Sequence, residues 1–105
     1  MNGKRYELRI LPLFEEDLNG ILDYLCDELQ NPIAAEAMVD AVEKAIQERL
    51  SCPEAFAPYP TARERRYPYY WLPVKNYTIF YVVVDNVMEV RRILYSRRDM
   101  EREME

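Results

Sequence analysis

The segment "VRRILYSRRDM", residues 90–100, runs from an apolar stretch into a tyrosine and a cluster of arginines. A guanidinium presents permanently charged donors in a plane that matches phosphate oxygens, and a phenol can hold or pass a proton. Tyr95, Arg97 and Arg98 stand together here, and Lys75 lies in a turn region upstream. Arg63, Arg65 and Arg66 crowd an earlier stretch, and Arg92 sits inside the apolar run itself. A strand end ringed by loop cations makes either a concave site for phosphate or a solvated charge run, and the residues alone leave both open. Histidine is absent, so acid–base chemistry would fall to Tyr, Lys, Glu or Asp, and the commonest zinc ligand is missing. No metal and no cofactor is expected.

These cations stand out because the chain is acidic, with 19 Asp and Glu against 14 Lys and Arg over 105 residues. The imbalance is uneven: residues 1–57 carry a net −7, residues 58–99 a net +4 and the last six a net −2. The overall charge argues against indiscriminate nucleic-acid binding, while the second half carries a local basic surface. Cys26 and Cys52 belong to no metal-ligand spacing and are expected to be free thiols, buried or half-buried, in a reducing compartment. There is no apolar run of the roughly 20 residues a bilayer crossing needs, and the start, "MNGKRYELRI", does not resemble a signal peptide. A single domain over residues 1–105, cytoplasmic and without membrane contact, is the expectation.

The elements that would position these residues follow from periodicity. "KRYELRILP" alternates and stops at Pro12, which predicts a strand over about 4–11. Phe14, Leu18, Ile21, Leu22, Leu25 and Leu29 recur at helical spacing, with Glu15, Glu16 and Asp17 suited to the positive end of a first turn. Gly20 weakens that helix by about 1 kcal/mol relative to Ala. Asn31 as N-cap and Pro32 at N1 begin a second helix, 32–50, whose small residues allow close packing in an antiparallel hairpin. "CPEAFAPYPTARE" has three prolines and no period, so it is the one long loop. Strands are predicted over about 66–74, 77–84 and 87–95, joined by two-residue turns at "KN" and "DN" in which Asn is able to take positive φ. Pro73 implies that its own N–H side goes unpaired.

The expected fold is therefore α+β: β-α-α-β-β-β, an α-helical hairpin on a small, mainly antiparallel sheet. On a two-residue period Met88, Val90, Arg92 and Leu94 share one face of the last strand, while Val87, Glu89, Arg91, Ile93 and Tyr95 share the other. Arg91 and Arg92 then point apart, and at least one is a salt-bridged or snorkelling residue with a structural task. The aromatics of "RYPYYWLPVKNYTIFY" are expected mainly in the core or covering the second face of the sheet.

Five segments in register over about 95 residues resemble the RelE/ParE superfamily of bacterial toxins from type II toxin–antitoxin (plasmid-stabilisation) systems: "YELRILP", "EEDLNGILDYL", "NPIAAEAMVDAVEKAIQERLSCP", "LPVKNYTIFYVV" and "VRRILYSRRDM". The resemblance implies the same fold and two modes of action, ribosome-dependent mRNA cleavage without a metal or poisoning of DNA gyrase. It also implies a cognate antitoxin as partner and, for the free toxin, a homodimer. By the same resemblance Tyr95 matches the terminal Tyr/His of the ribonucleases, with Arg97, Arg98 and Lys75 as catalytic neighbours and Arg92, Arg65 and Arg66 as target-binding cations. Two positions that carry arginine in those nucleases hold Tyr70 and Thr78 here, and losing one transition-state donor typically costs about 100–1000-fold in rate. The alternative under the same resemblance is a member without catalytic activity that acts as a protein-binding module.

Overall fold

The computed structural model describes residues 5–60 and 66–97; Arg63, Arg65 and Arg98 lie outside them. Along the chain run β1 (Glu7–Ile10), α1 (Pro12–Asp23) continued by a π-helical turn (Tyr24–Glu28), α2 (Pro32–Leu50), β2 (Tyr70–Val74), β3 (Tyr77–Val84) and β4 (Val87–Tyr95). The expected β-α-α-β-β-β order is the one observed. The sheet order is β1-β4-β3-β2, with β1 parallel to β4 and both other pairs antiparallel. β2 starts at Tyr70, later than the expected 66, because Pro68 has no N–H and biases Tyr67 away from a paired conformation. Pro73 lies in an edge strand, where a missing donor is tolerated.

Strand β3 splits its side chains cleanly. Ile79 and Tyr81 enter the cluster under the helices with Phe14, Met38, Val42 and Ile46, while Phe80 and Val82 pack on the opposite face with Tyr69 and Leu94. Strand β4 departs from its expected alternation. Phe80 pairs with Arg92 but Tyr81 pairs with Val90, so Arg91 is the extra residue of a β-bulge. The bulge resets the period, and Met88, Val90 and Ile93 all join the helix-side cluster while Leu94 joins the other. Both tight turns take positive φ at their first residue, Lys75 (54°) and Asp85 (56°), and not at the asparagines. Positive φ at the first central position suits the twist of the flanking strands.

The link between the helices is local chemistry. Asn31 Oδ1 accepts the Ala34 N–H at 3.1 Å, and Pro32 occupies the first turn of α2. Gln30 takes φ 48°, and the Asn31 N–H closes onto the Leu25 carbonyl at 2.8 Å. The π-helical turn before it widens the helix, and Cys26 within that turn is exposed. Cys52, at the start of the long loop, is exposed as well. Both thiols thus differ from the buried or half-buried placement expected of them, since Cys26 flanks the apolar stripe and Cys52 follows the last turn of α2.

β1 runs out opposite Val90, and beyond that point no strand among the described residues covers this edge of β4. Asp17 of α1 takes its place. One carboxylate oxygen accepts the Ile93 N–H at 3.1 Å, and the two oxygens receive Arg92 Nε and Nη2 at 2.7 and 2.9 Å. The side chains are only 16% and 14% exposed, so the pair is bidentate and largely dry. On the other face Glu89 accepts from Arg9 (3.2 Å) and from Arg91 (2.8 Å). Burial pushes the Glu89 carboxyl up, but hydrogen bonds and charge from Arg91 and Arg9 outweigh it and hold it below its ordinary value of about 4.5.

Two outcomes follow from these pairs. Asp17→Ala leaves a nearly buried guanidinium without its carboxylate and strips the Ile93 N–H of its acceptor. It should cost about 2–4 kcal/mol in urea unfolding, and Asp17→Asn distinctly less because the amide oxygen still accepts. For Glu89 the folded value lies below the unfolded one, so its contribution is complete above about pH 4.5 and is lost as pH falls through the folded value. The stability gap between wild type and Glu89→Gln, followed by thermal melts, should therefore close as the solution is acidified below that point.

Candidate functional site

The carboxyl end of β4 and the β2–β3 turn meet at one end of the sheet. The Ser96 N–H donates to the Asn76 carbonyl at 3.0 Å, and the Thr78 and Ser96 hydroxyls lie 2.9 Å apart. These bonds bring the Lys75 turn beside Tyr95, whose ring meets the edge of Tyr77 at 5.7 Å. Facing this end stand the π-helical turn and the start of α2. Between them opens a cleft of about 1120 Å³, with Tyr24, Leu25 and Leu29 on one wall, Ala34, Ala37 and Met38 on another, and Lys75, Tyr77, Ile93 and Tyr95 on the sheet side.

The candidate residues fall into three settings. Lys75 and Tyr95 line the same cleft, and Arg97 is exposed two residues beyond Tyr95. Arg92 lies deeper, bound bidentately by Asp17. Arg66 is remote from the cleft lining; it is exposed on the long loop with its guanidinium 5.4 Å from the ring of Tyr67, a residue packed on the second face of the sheet. Arg65 and Arg98 lie outside the described residues.

The two positions without the expected arginine are both engaged. Tyr70 stacks on Tyr81 at 5.3 Å, and burial, then the Glu54 charge, pushes its phenol above 10. Thr78 is buried and bonded to Ser96. Tyr77 is likewise pushed up, by burial first and then by the neighbouring phenols of Tyr24 and Tyr95, so it stays protonated at neutral pH. Among the described residues no three His, Cys, Asp or Glu side chains gather where they could hold a metal ion, and no helix is long and apolar enough to cross a membrane.

Tyr24 and Glu16 both line the cleft, although the sequence points to Glu16 only as a first-turn residue of α1 and not to Tyr24 at all. Glu16, Gly20 and Tyr24 recur every fourth residue on α1, off the apolar stripe that seats the helix on the sheet, and that spacing was the available signal. The arrangement suits binding: an apolar trough with phenols at its mouth, one ammonium on its rim and an exposed guanidinium nearby.

A family model described as "ParE toxin of type II toxin-antitoxin system, parDE" matches residues 8–100. No curated protein sequence matches the chain. Among solved structures the fold is similar to a chain of the chromosomal ParDE toxin–antitoxin system from P. aeruginosa, with a TM-score of 0.72 at 16% identity, over 87% of this chain and 96% of that one. Two helices on a four-stranded mixed sheet are common to both. Matched by the family model over nearly its whole length, the chain belongs to the ParE toxin family of type II toxin–antitoxin systems.

Proposed function

We propose that this toxin arrests growth by binding its target through the Lys75–Tyr95–Arg97 end of the sheet, that the target is DNA gyrase, and that a cognate antitoxin neutralises it. One observation carries the reading: the Arg92 guanidinium is engaged by Asp17 at 2.7 and 2.9 Å. RNA cleavage needs a group that removes the 2′-hydroxyl proton and cations that stabilise the charge developing on phosphorus. Tyr70 and Thr78 stand where the ribonucleases of the superfamily supply arginine, and Arg92 is drawn into the fold. Among the described residues, Lys75 and Arg97 on this end supply charge for docking.

The acidity of the rest of the chain supports the same reading. A protein of net −5 gains little cationic steering toward ribosomal RNA. Contact with a protein target calls only for local complementarity around a few well-placed side chains.

The test is a pair of reactions with purified chain. Incubated with gyrase, ATP and supercoiled plasmid, it should trap cleaved, linear DNA; incubated with translating ribosomes, it should leave the mRNA intact. Cuts in the ribosomal A site that disappear in Tyr95→Phe would contradict the proposal and establish the ribonuclease. In cells, Tyr95→Phe should keep growth arrest within about threefold, because no proton is moved. Lys75→Ala combined with Arg97→Ala should weaken arrest by about tenfold or more, the loss expected when two docking charges are removed.

A further inference from the structure

The sheet has two edges, β1 and β2, and the chain treats them differently. On β2, alternation from the tight turn leaves Trp71 and Pro73 with their backbone groups directed off the sheet. Pro73 has no N–H to offer, and the Trp71 carbonyl accepts Arg49 Nη1 at 3.1 Å. Such devices keep an edge strand from pairing with another chain. β1 has no proline within Glu7–Ile10. Its Glu7 N–H donates to the Asn86 carbonyl at 2.7 Å and the Leu11 N–H to the Val90 carbonyl at 3.0 Å, so the backbone of Leu8 points the other way, off the sheet. Among the described residues no backbone group meets it there. Glu7, Leu8 and Arg9 are all exposed.

Charge says which strand fits. Glu7 and Arg9 flank Leu8 and share the face of the sheet that Leu8 does not. Charged side chains on an edge repel most strands, but not one that carries the opposite charges at the matching positions. In an antiparallel pair with Leu8 opposite Leu8 of a second copy, the two leucines exchange backbone bonds. Each Glu7 then stands against an Arg9 in the closer, non-hydrogen-bonded position. A slide of two residues either way sets Glu7 against Glu7 or Arg9 against Arg9, so one register is specified. Within one copy Arg9 lies opposite Glu89 and bonds it at 3.2 Å while its side chain stays 57% exposed. The second copy places another carboxylate on its open side. We infer that β1 is a self-pairing edge: two copies of this chain join sheet to sheet, antiparallel, about a two-fold axis through Leu8. The contact is far smaller than a standard interface of about 1,600 Å², so association is weak, with a Kd of about 10–100 µM. None of Glu7–Ile10 lines the cleft, so the pair leaves both clefts open, and the inference stands on β1 alone whatever the target is.

The test is sedimentation velocity of the full chain over a concentration series spanning that Kd, with amide hydrogen exchange read on the same samples. Wild type should pass from monomer to dimer, and exchange at the Leu8 N–H should slow severalfold as the dimer comes to dominate. Glu7→Arg and Arg9→Glu each set like charges together, and each should weaken association by about tenfold or more. Glu7 is exposed and its replacement leaves the Arg9–Glu89 bridge in place, so association lost there is not fold lost. Mixed in equal amounts, the two variants present arginine against glutamate at both positions and should restore the wild-type Kd to within about threefold. A wild-type chain that stays monomeric throughout the series would overturn the inference. So would a dimer that Glu7→Arg leaves intact, a Leu8 N–H that exchanges equally fast in monomer and dimer, or a mixture of the two variants that does not associate.

Discussion

The Asp17 carboxylate is the constraint around which the rest is arranged. β1 is too short to cover β4, so the N–H of Ile93 would face a helix with no acceptor. Asp17 supplies one, and the charge that this carboxylate brings into a dry site is balanced by Arg92. A buried pair of this kind contributes less to net stability than to specifying one arrangement, because desolvation offsets much of the attraction. Here it fixes where α1 crosses the sheet. The crossing in turn sets the distance between Tyr24 on the hairpin and Tyr95 on β4, and so the width of the cleft.

The same pair has a functional consequence. Two of the Arg92 nitrogens, Nε and Nη2, are committed to the carboxylate oxygens of Asp17 at 2.7 and 2.9 Å. Among the described residues, the end of the sheet also carries Lys75, Arg97 and Tyr95, a set that suits docking. Opposite it lies the helical hairpin, which carries nine Asp and Glu and no Lys or Arg from residue 12 to residue 43. The cleft between them is lined mostly by apolar side chains and phenols, with Lys75 on the sheet side and Glu16 and Asp17 on the helix side.

What was legible in the sequence was what neighbours decide. "QNP" stopped one helix and began the next because Asn31 and Pro32 act within a turn of themselves, and the two-residue links fixed β2, β3 and β4 as a meander. The bulge at Arg91 was not legible, since it depends on which residues of β3 lie across from it, and without it Ile93 fell on the wrong face. The partnership of Asp17 with Arg92 spans 75 residues and leaves no periodic trace. The exposure of Cys26 was hidden by a π-helical turn that widens an otherwise regular pattern. The meeting of Lys75 and Tyr95 could be read, because in a meander the end of β4 lies beside the start of β3 and so beside the β2–β3 turn; the remoteness of Arg66 could not.

The most direct measurement replaces the pair itself. In the double variant Asp17→Asn, Arg92→Met the amide oxygen still accepts the Ile93 N–H, and the thioether fills the space of the guanidinium stem without a charge. If Arg92 serves the fold, the double variant should remain folded by circular dichroism and arrest growth as the wild type does. A folded double variant that no longer arrests growth would mean that Arg92 reaches the target, and the account of this site would be wrong.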